Sequence, residues 1–288
     1  MPLPAALDVL ENSAALDPAS QAMTAVVHRL VRPQWLRDLL HGVWLGHPLH
    51  PVLVQVPVGA WTSAAVLDAL PGTGTAPDTL IAVGLVGLVP AVATGWTDWS
   101  ELHEQQQRVG LVHAASNIAA AGLYVGSLVA RRNGSRGLGR ALGWTGYSVA
   151  GLGSFLGGHL AYRQAAGANH AEFVPHVTPP GWHDIGVLDN LPDGKPTTRK
   201  LGDVSLIVLR RGEGVSVLAN RCSHLDGPLA QGEVVVEGGE ECVACPWHGS
   251  TFRLRDGAVV HGPATTPQPV FRTQVVDGRL QVRLDGAG

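Results

Sequence analysis

Four long apolar stretches restrict what the first part of this 288-residue chain can fold into. They cover residues 51–70, 79–97, 109–130 and 141–162, and they are rich in Ala, Gly, Val and Leu with almost no charge. Each approaches the ~20 residues that a helix needs to cross ~30 Å of hydrocarbon. A soluble bundle would need a polar face on every helix, and residues 79–97 offer none. We therefore predict a four-helix transmembrane bundle whose helices approach closely at glycine and alanine.

Tryptophans support this assignment with one exception. Trp96, Trp99 and Trp144 lie near the ends of the stretches, as an interfacial aromatic belt requires, whereas Trp61 falls in the middle of one. The segment GHPLHP at residues 46–51, with the apolar residues that follow it, resembles a family of bacterial four-span membrane domains of unknown function. That resemblance covers about residues 47–162 and implies no activity.

The segment before the first stretch is amphipathic. Residues 1–20 lack the basic and apolar regions of a secretory signal. Residues 21–31 and 34–42 are typical of two short amphipathic helices separated at Pro33, and helices of this kind often lie in the headgroup plane. We therefore predict that residues 1–45 form an interfacial segment.

Two short motifs near the C-terminus each combine a cysteine with a histidine, as Cys222-x-His224 and Cys245-x-x-His248. Zinc fingers usually place two cysteines in one loop and two histidines in the other, so a zinc site is one alternative and a chance arrangement is another. A mixed pair in each loop suits an asymmetric [2Fe–2S] cluster, in which each loop gives its thiolate to one iron and its imidazole to the other.

The residues around these motifs carry a second resemblance. The segments CSHLDGPL and CPWHGSTF are similar to the two cluster loops of Rieske domains, and residues 261–264, HGPA, are similar to the proline loop that shields the cluster. The resemblance extends from about Trp182 to the C-terminus. It implies a [2Fe–2S] cluster held by Cys222, His224, Cys245 and His248.

Other positions indicate which Rieske domains this one resembles. The Rieske subunits of respiratory bc complexes carry an extra cysteine in each loop, where this chain has Gly227 and Trp247, so the pattern is that of bacterial ferredoxins and oxygenase domains. Cys242 then has no disulfide partner and is predicted to be a buried small residue. Ser250 supplies a hydroxyl that raises the potential, but Phe252 stands where high-potential members have Tyr. A potential in the lower half of the roughly −150 to +300 mV Rieske range is expected.

Short alternating runs predict an antiparallel all-β fold for the tail. The predicted strands cover residues 204–209, 215–218, 233–236, 243–244, 258–259, 271–276 and 280–284. An acidic, glycine-containing hairpin turn is expected at residues 237–241. The chain as a whole is thus predicted to be a multidomain α + β protein with four parts, namely the N-terminal segment 1–45, the transmembrane domain 46–163, a linker 164–180 and the Rieske domain 181–288.

With four spans, the loop between spans two and three would share a membrane face with the tail. His50, His113 and His159 would then gather near that face. Intramembrane ionisable groups are candidates for function, and histidines on facing helices can hold haem b, a metal or a quinone headgroup. The alternative is that these histidines cap helices and bond to lipid headgroups.

Two arguments about sidedness oppose each other. The loop between spans three and four carries four arginines and the loop between spans one and two carries no Lys or Arg, so the positive-inside rule would place the tail outside. Iron–sulfur clusters are inserted in the cytosol, however, and further arginines lie on the side of the tail. The sidedness stays open, and the prediction retained is a multi-pass protein of the bacterial cytoplasmic membrane with the Rieske domain on the cytoplasmic side.

The function predicted from these features is a membrane-anchored Rieske protein that carries single electrons. It is expected to be a component of an oxidoreductase system, because the chain has neither a mononuclear iron domain nor a Gly-rich dinucleotide motif. Its partners would be an unknown redox protein and the lipid membrane, and a net charge of −3 argues against nucleic acid. The alternatives are a quinol- or haem-linked oxidoreductase subunit and a cluster-based redox sensor.

Overall fold

The computed structural model describes residues 3–285 and divides the chain into two compact units. The helical unit comprises Met1–Arg32 and Leu49–Ala166, and the β unit comprises Pro33–Pro48 and Gly167–Gly288. The predicted domain limits group Pro33–Pro48 with the N-terminal half instead. In the structure this segment packs with the β unit. The predicted domain limits stay a prediction.

Within residues 3–285, eight α-helices lie before the predicted linker 164–180, and a ninth lies within it. They are α1 (Leu3–Glu11), α2 (Asp17–Leu30), α3 (Gln34–His41), α4 (His50–Leu53), α5 (Gln55–Ala69), α6 (Ala76–Trp99), α7 (Glu104–Arg132), α8 (Arg136–Tyr162) and α9 (Val174–Val177). The two predicted amphipathic helices correspond to α2 and α3. The four apolar stretches correspond to α4 with α5, then α6, α7 and α8.

Among the described residues, three helical segments are long and apolar enough to cross a membrane: His50–Ala69, Ala76–Trp99 and Glu104–Arg132. The helical, apolar character of the N-terminal half is confirmed, but the predicted number of four spans is not. Helix α8 is long enough to cross a membrane, but its many glycines and the arginines Arg136 and Arg140 in its first turns lower its mean hydropathy.

The exceptional position of Trp61 is explained by packing inside the helical unit. Its side chain is only 4% exposed and stacks on Tyr124 with ring centroids 4.3 Å apart. Gly84 on α6 makes room for the indole, because a Cβ at that position would collide with the ring. Trp61 is therefore a residue of the bundle interior, where a tryptophan needs no interfacial position.

A buried ion-pair network joins the helices near one end of this unit. Arg131 on α7 donates through two nitrogens to the carboxylate of Asp68 on α5 and, at 3.0 Å, to Asp78 on α6. Arg136 on α8 also reaches Asp78, at 3.3 Å. Because Arg131 and Asp68 are almost completely buried, each charge depends on its partner for solvation.

Helices α1 and α2 pack on the same bundle. Arg108 on α7 pairs with Asp17 at the start of α2 at 2.6 Å, and Leu7 on α1 is buried in a cluster with Val109 and Leu156. These contacts lie within the helical unit, and the predicted interfacial placement of residues 1–45 stays a prediction.

The β unit contains two antiparallel sheets, which confirms the all-β prediction for the tail. The strands are β1 (His183–Val187), β2 (Thr197–Leu201), β3 (Val204–Arg211), β4 (Gly214–Ala219), β5 (Glu233–Glu237), β6 (Glu240–Ala244), β7 (Thr251–Arg253), β8 (Val259–His261), β9 (Val270–Val276) and β10 (Arg279–Leu284). Six strands form a sheet in the order β1-β10-β9-β4-β3-β2, and four form a sheet in the order β5-β6-β7-β8.

Seven of the strands correspond to predicted ones, and β1, β2 and β7 were not predicted. Strand β2 is polar, with the sequence TTRKL, and β7 has three residues, so neither shows a clear apolar alternation. The predicted hairpin between β5 and β6 is present, where Gly238 and Gly239 both adopt positive φ. That pair of conformations is the one that a two-residue hairpin turn requires. The predicted linker also contributes Ala171 and Val174 as buried residues.

Candidate metal centre

Two loops of the β unit carry the predicted ligands. In each loop a backbone hydrogen bond from the amide of the ligand cysteine joins the two ends of the loop. In the first loop, the Cys222 amide donates to the Gly227 carbonyl at 2.9 Å. In the second loop, between β6 and β7, the Cys245 amide donates to the Ser250 carbonyl at 2.8 Å. These bonds satisfy backbone groups that tight loops would otherwise leave unpaired, so both thiols are held by rigid backbone.

A buried glutamine anchors the first loop. The Gln268 side-chain nitrogen donates to the carbonyl oxygens of Ala219, at 2.8 Å, and Arg221, while its oxygen accepts from the Ser223 amide at 3.1 Å. His170, from the predicted linker, donates its backbone amide to the Ser223 carbonyl at 2.9 Å. Neither Gln268 nor His170 could be predicted from the sequence, because nothing in their local sequence distinguishes them.

The two thiols are buried in the same cluster of side chains. The Cys222 thiol donates to the Cys245 sulfur, and this bond lowers the pKa of Cys245 to about 6, against the opposing effect of burial. Backbone amides of Trp247 and His248 also stabilise the Cys245 thiolate. The same bond, together with burial, raises the pKa of Cys222. A site that favours thiolate at one sulfur beside a second sulfur suits a metal centre with two thiolate ligands.

The two imidazoles lie beside each other. The ring centroids of His224 and His248 are 5.1 Å apart and their planes are perpendicular. Both side chains are partly exposed, and the neighbouring Trp247 is about half exposed. No group of three or more His, Cys, Asp or Glu side chains within residues 3–285 is arranged around one metal ion. A two-iron cluster needs only two protein ligands on each iron.

A glycine allows the two loops to approach each other closely. A Cβ added at Gly227 would lie 2.6 Å from the Cys245 sulfur and 3.3 Å from the nearest ring carbon of Trp247. Gly227 and Trp247 therefore adjoin each other where the bc-type subunits would place their additional cysteines. Cys222, Cys242 and Cys245 are all free thiols. The donor set of two thiols and two imidazoles fits a [2Fe–2S] group.

Ser250 and Phe252 take the positions that the sequence analysis assigned to potential tuning. The Ser250 hydroxyl oxygen is buried and accepts a hydrogen bond from the Ala264 amide at 2.9 Å, so its own proton remains available for donation. Phe252 is fully buried beside the two cysteines and has no hydroxyl to offer. The predicted potential in the lower half of the Rieske range stays a prediction.

Cys242 is separate from this centre. It lies on β6, where it pairs with Val235 on one side and Arg253 on the other, and its side chain is fully buried. Burial raises the pKa of its thiol. These observations agree with the predicted role of a buried small residue.

The three membrane histidines each have a partner within the helical unit. His50 bonds through Nδ1 to the Ala91 carbonyl on α6 at 2.8 Å, and His113 bonds through Nδ1 to the Gly153 carbonyl on α8 at 2.7 Å. His159 instead contacts the Glu11 carboxylate at 2.6 Å.

Comparison with known proteins identifies both halves of the chain. Residues 181–272 match the Rieske [2Fe-2S] domain, and residues 46–170 match the predicted membrane protein family DUF2231. The chain is a Rieske domain fused to a DUF2231 membrane domain. Both predicted resemblances are thereby confirmed.

Individual relatives align with about a third of the chain. The ferredoxin subunit of anthranilate 1,2-dioxygenase from Burkholderia cepacia is 33% identical over 103 residues, which cover 36% of this chain and 92% of that protein. The probable oxygenase component of 3-ketosteroid-9-alpha-monooxygenase from Rhodococcus rhodochrous is 36% identical over 123 residues, and the match covers 38% of this chain and 30% of that protein. The iron–sulfur subunit of the cytochrome b6-f complex from Chlorobaculum tepidum is 25% identical over 100 residues, which cover 35% of this chain and 52% of that subunit.

Among solved structures, the ferredoxin of carbazole 1,9a-dioxygenase from Nocardioides aromaticivorans is 27% identical in sequence, and the superposition has a TM-score of 0.33. The match covers 36% of this chain and 98% of the ferredoxin chain. The chain thus spans nearly all of the ferredoxin relatives and about half or less of the other two proteins. Two of these relatives are named as a ferredoxin subunit and an iron–sulfur subunit.

Proposed function

We propose that this protein is a membrane-anchored Rieske protein that carries single electrons. Cys222 and Cys245 would bind one iron, and His224 and His248 would bind the other. The cluster supplies a one-electron redox centre when it is bound. The observation that supports this proposal most is the meeting of two buried thiols and two adjacent imidazoles from two loops of a Rieske domain.

The surrounding residues suit the task of an electron carrier. The buried thiol side keeps water away from the sulfurs, and the partly exposed imidazole side gives a redox partner access to the centre. The half-exposed Trp247 adds an apolar surface beside His248, their ring centroids being 6.4 Å apart. Aromatic side chains of this kind often contribute to protein interfaces. We propose that an oxidoreductase partner binds on this side.

A quinol- or haem-linked oxidoreductase subunit is the second candidate. It is supported by the similarity of the Rieske domain to a cytochrome b6-f subunit, and His50 and His113 are its candidate ligands in the membrane domain. In His50 and His113 the Nδ1 atom faces a carbonyl, so the proton resides on Nδ1 and Nε2 carries the lone pair. In His113 this lone pair accepts a hydrogen bond from the Asn117 side-chain nitrogen at 3.2 Å, and a ligand would have to replace that bond. Haem b would give dithionite-reduced absorption bands in membranes containing the protein, and His113→Ala would remove them. Without such bands, a quinone headgroup becomes the better account of the pair.

We further propose that the protein resides in the bacterial cytoplasmic membrane with its Rieske domain on the cytoplasmic side. Three of the four arginines that favour the opposite orientation pair with aspartates within the bundle, Arg131 and Arg140 with Asp68 and Arg136 with Asp78. The two aspartates therefore compensate part of this positive charge. Labelling of single introduced cysteines by an impermeant reagent in intact cells and in lysed cells measures this sidedness.

Reduction assays on the purified full chain in detergent separate the candidates. Rapid bleaching of the cluster spectrum by a quinol supports the quinol-linked subunit. Reduction only when NADH and a ferredoxin reductase are both present supports the electron carrier, and reduction by neither favours the redox sensor. The Cys245→Ser variant is the control, because its residual absorbance change measures events outside the cluster.

A further inference from the structure

Helix α3 lies outside both family matches, which cover residues 46–170 and 181–272, and yet it belongs to the β unit. Its contact is with the proline loop, residues 261–264, and the central residue of that contact is Asp38. Helix α3 begins after Pro33 and ends at His41, where Gly42 adopts a left-handed conformation with φ 86°. That conformation turns the chain sharply and directs the next residues back towards the proline loop.

Both carboxylate oxygens of Asp38 are used. Oδ2 lies 2.9 Å from Nδ1 of His261, and Oδ1 accepts the backbone amide of Gly262 at 2.9 Å. Gln34, one turn earlier on α3, donates to the same Oδ1 at 2.9 Å and orients the carboxylate. Charge-assisted bonds to a backbone amide are stronger and more directional than ordinary ones, so this contact holds the loop backbone itself.

Packing reinforces these bonds. A Cβ at Gly262 would lie 3.1 Å from Cγ2 of Val43 and 3.3 Å from Cδ2 of His41, so the segment lies flat against the loop backbone. The His41 side chain is almost completely buried. The contact is therefore a packed interface as well as a pair of polar bonds.

The opposite side of the proline loop faces the metal centre. Ala264 is buried in the same cluster of side chains as Cys222 and Cys245. Its amide donates to the Ser250 hydroxyl oxygen at 2.9 Å, and the Ser250 carbonyl accepts the amide of Cys245 at 2.8 Å. Asp38 and Ser250 thus hold the loop at two points that are two residues apart.

We propose that Asp38 is a positioning residue for the cluster. It holds the proline loop from outside, and the loop in turn fixes the orientation of the Ser250 hydroxyl that tunes the potential. This inference rests on the proposed function, because it assumes a [2Fe–2S] cluster next to Ser250. It assigns a redox role to an N-terminal helix that the Rieske domain match does not include.

A simpler role for Asp38 would be that of a nearby negative charge. Glu237 provides the matched comparison, because its carboxylate lies 3.8 Å from Nε2 of the same His261 and makes no bond to the loop backbone. Removing a negative charge near the cluster favours the reduced state and raises the potential. Loosening a hydrogen-bond donor to the cluster lowers it. The two roles therefore predict opposite signs.

The test is a redox titration of the full chain carrying Asp38→Ala, Glu237→Ala, Ser250→Ala, or Asp38→Ala with Ser250→Ala. The proposal predicts that the potential falls in Asp38→Ala and stays unchanged or rises in Glu237→Ala. It also predicts that the double variant has almost the same potential as Ser250→Ala alone. A rise in Asp38→Ala, or a fall that adds fully to that of Ser250→Ala, overturns the proposal.

Two further measurements keep the test decisive. If Asp38→Ala does not retain the cluster, Asp38→Asn, which is equally neutral but keeps an acceptor for the Gly262 amide, must retain it, and a loss of the cluster in Asp38→Asn overturns the proposal. Amide hydrogen exchange at Gly262 and Ala264 needs no redox activity and must become faster in Asp38→Ala but not in Glu237→Ala. Absence of an iron–sulfur signal from the unmodified protein would instead contradict the proposed function.

Discussion

Substitution of Gly227 by alanine is expected to disturb the cluster site. The added Cβ would lie 2.6 Å from the Cys245 sulfur, and the nearest Trp247 ring carbon is 3.3 Å away. Ordinary contacts between such atoms are about 3.5–4.0 Å, so the sulfur or a loop must move by about 1 Å. A ligand sulfur bound to iron cannot yield in this way, and the loop backbone must move instead.

Overpacking of this kind typically costs about 1–3 kcal/mol, which corresponds to roughly 5- to 150-fold in the equilibrium that retains the cluster. Iron and acid-labile sulfide per chain, together with thermal unfolding of the Rieske domain, measure the effect. Gly214→Ala in strand β4 is the control, because its Cβ would meet nothing closer than 3.4 Å. Full cluster content and unchanged thermal stability in Gly227→Ala would refute the close packing of Gly227 against the Cys245 sulfur.

Three further predictions concern other residues. Cys245→Ser should abolish the cluster because a ligand is lost, while Cys242→Ser should retain it; iron that persists in the first variant would contradict the ligand assignment. Phe252→Tyr should raise the potential by adding a hydroxyl beside the cysteines, and a redox titration showing no rise would contradict that role. Arg131→Ala should destabilise the helical unit by about 3–5 kcal/mol, because it leaves Asp68 buried without its partner. Thermal unfolding in detergent measures this loss, and Arg131→Ala combined with Asp68→Ala should lose less.

The parts of the molecule that sequence analysis predicted depend on local pattern. Cys222 with His224 and Cys245 with His248 are each separated by one or two residues, so a single loop brings each pair together. The apolar runs of β3 and β4 are similarly visible in the chain, and the length of the membrane helices follows from continuous hydrophobicity.

The parts that were missed depend on contacts between distant residues. Asp38 and His261 are separated by 223 positions, and nothing near Asp38 indicates a partner in the Rieske domain. Gln268 is likewise recognisable only from the three backbone groups that it contacts. Trp61 was noticed as an exception, but its reason lies in Tyr124 on a different helix. Pattern analysis of one segment contains no information about such partners.

Metal and sulfide analysis of purified membranes, combined with electron paramagnetic resonance, tests the central claim most directly. The account predicts about two irons and about two acid-labile sulfides per full-length chain, in a reduced state whose spectrum shows coupling to histidine nitrogen. The signal should remain with the membrane fraction after a high-salt wash. One zinc per chain without iron, or an iron–sulfur signal without nitrogen coupling, would contradict it.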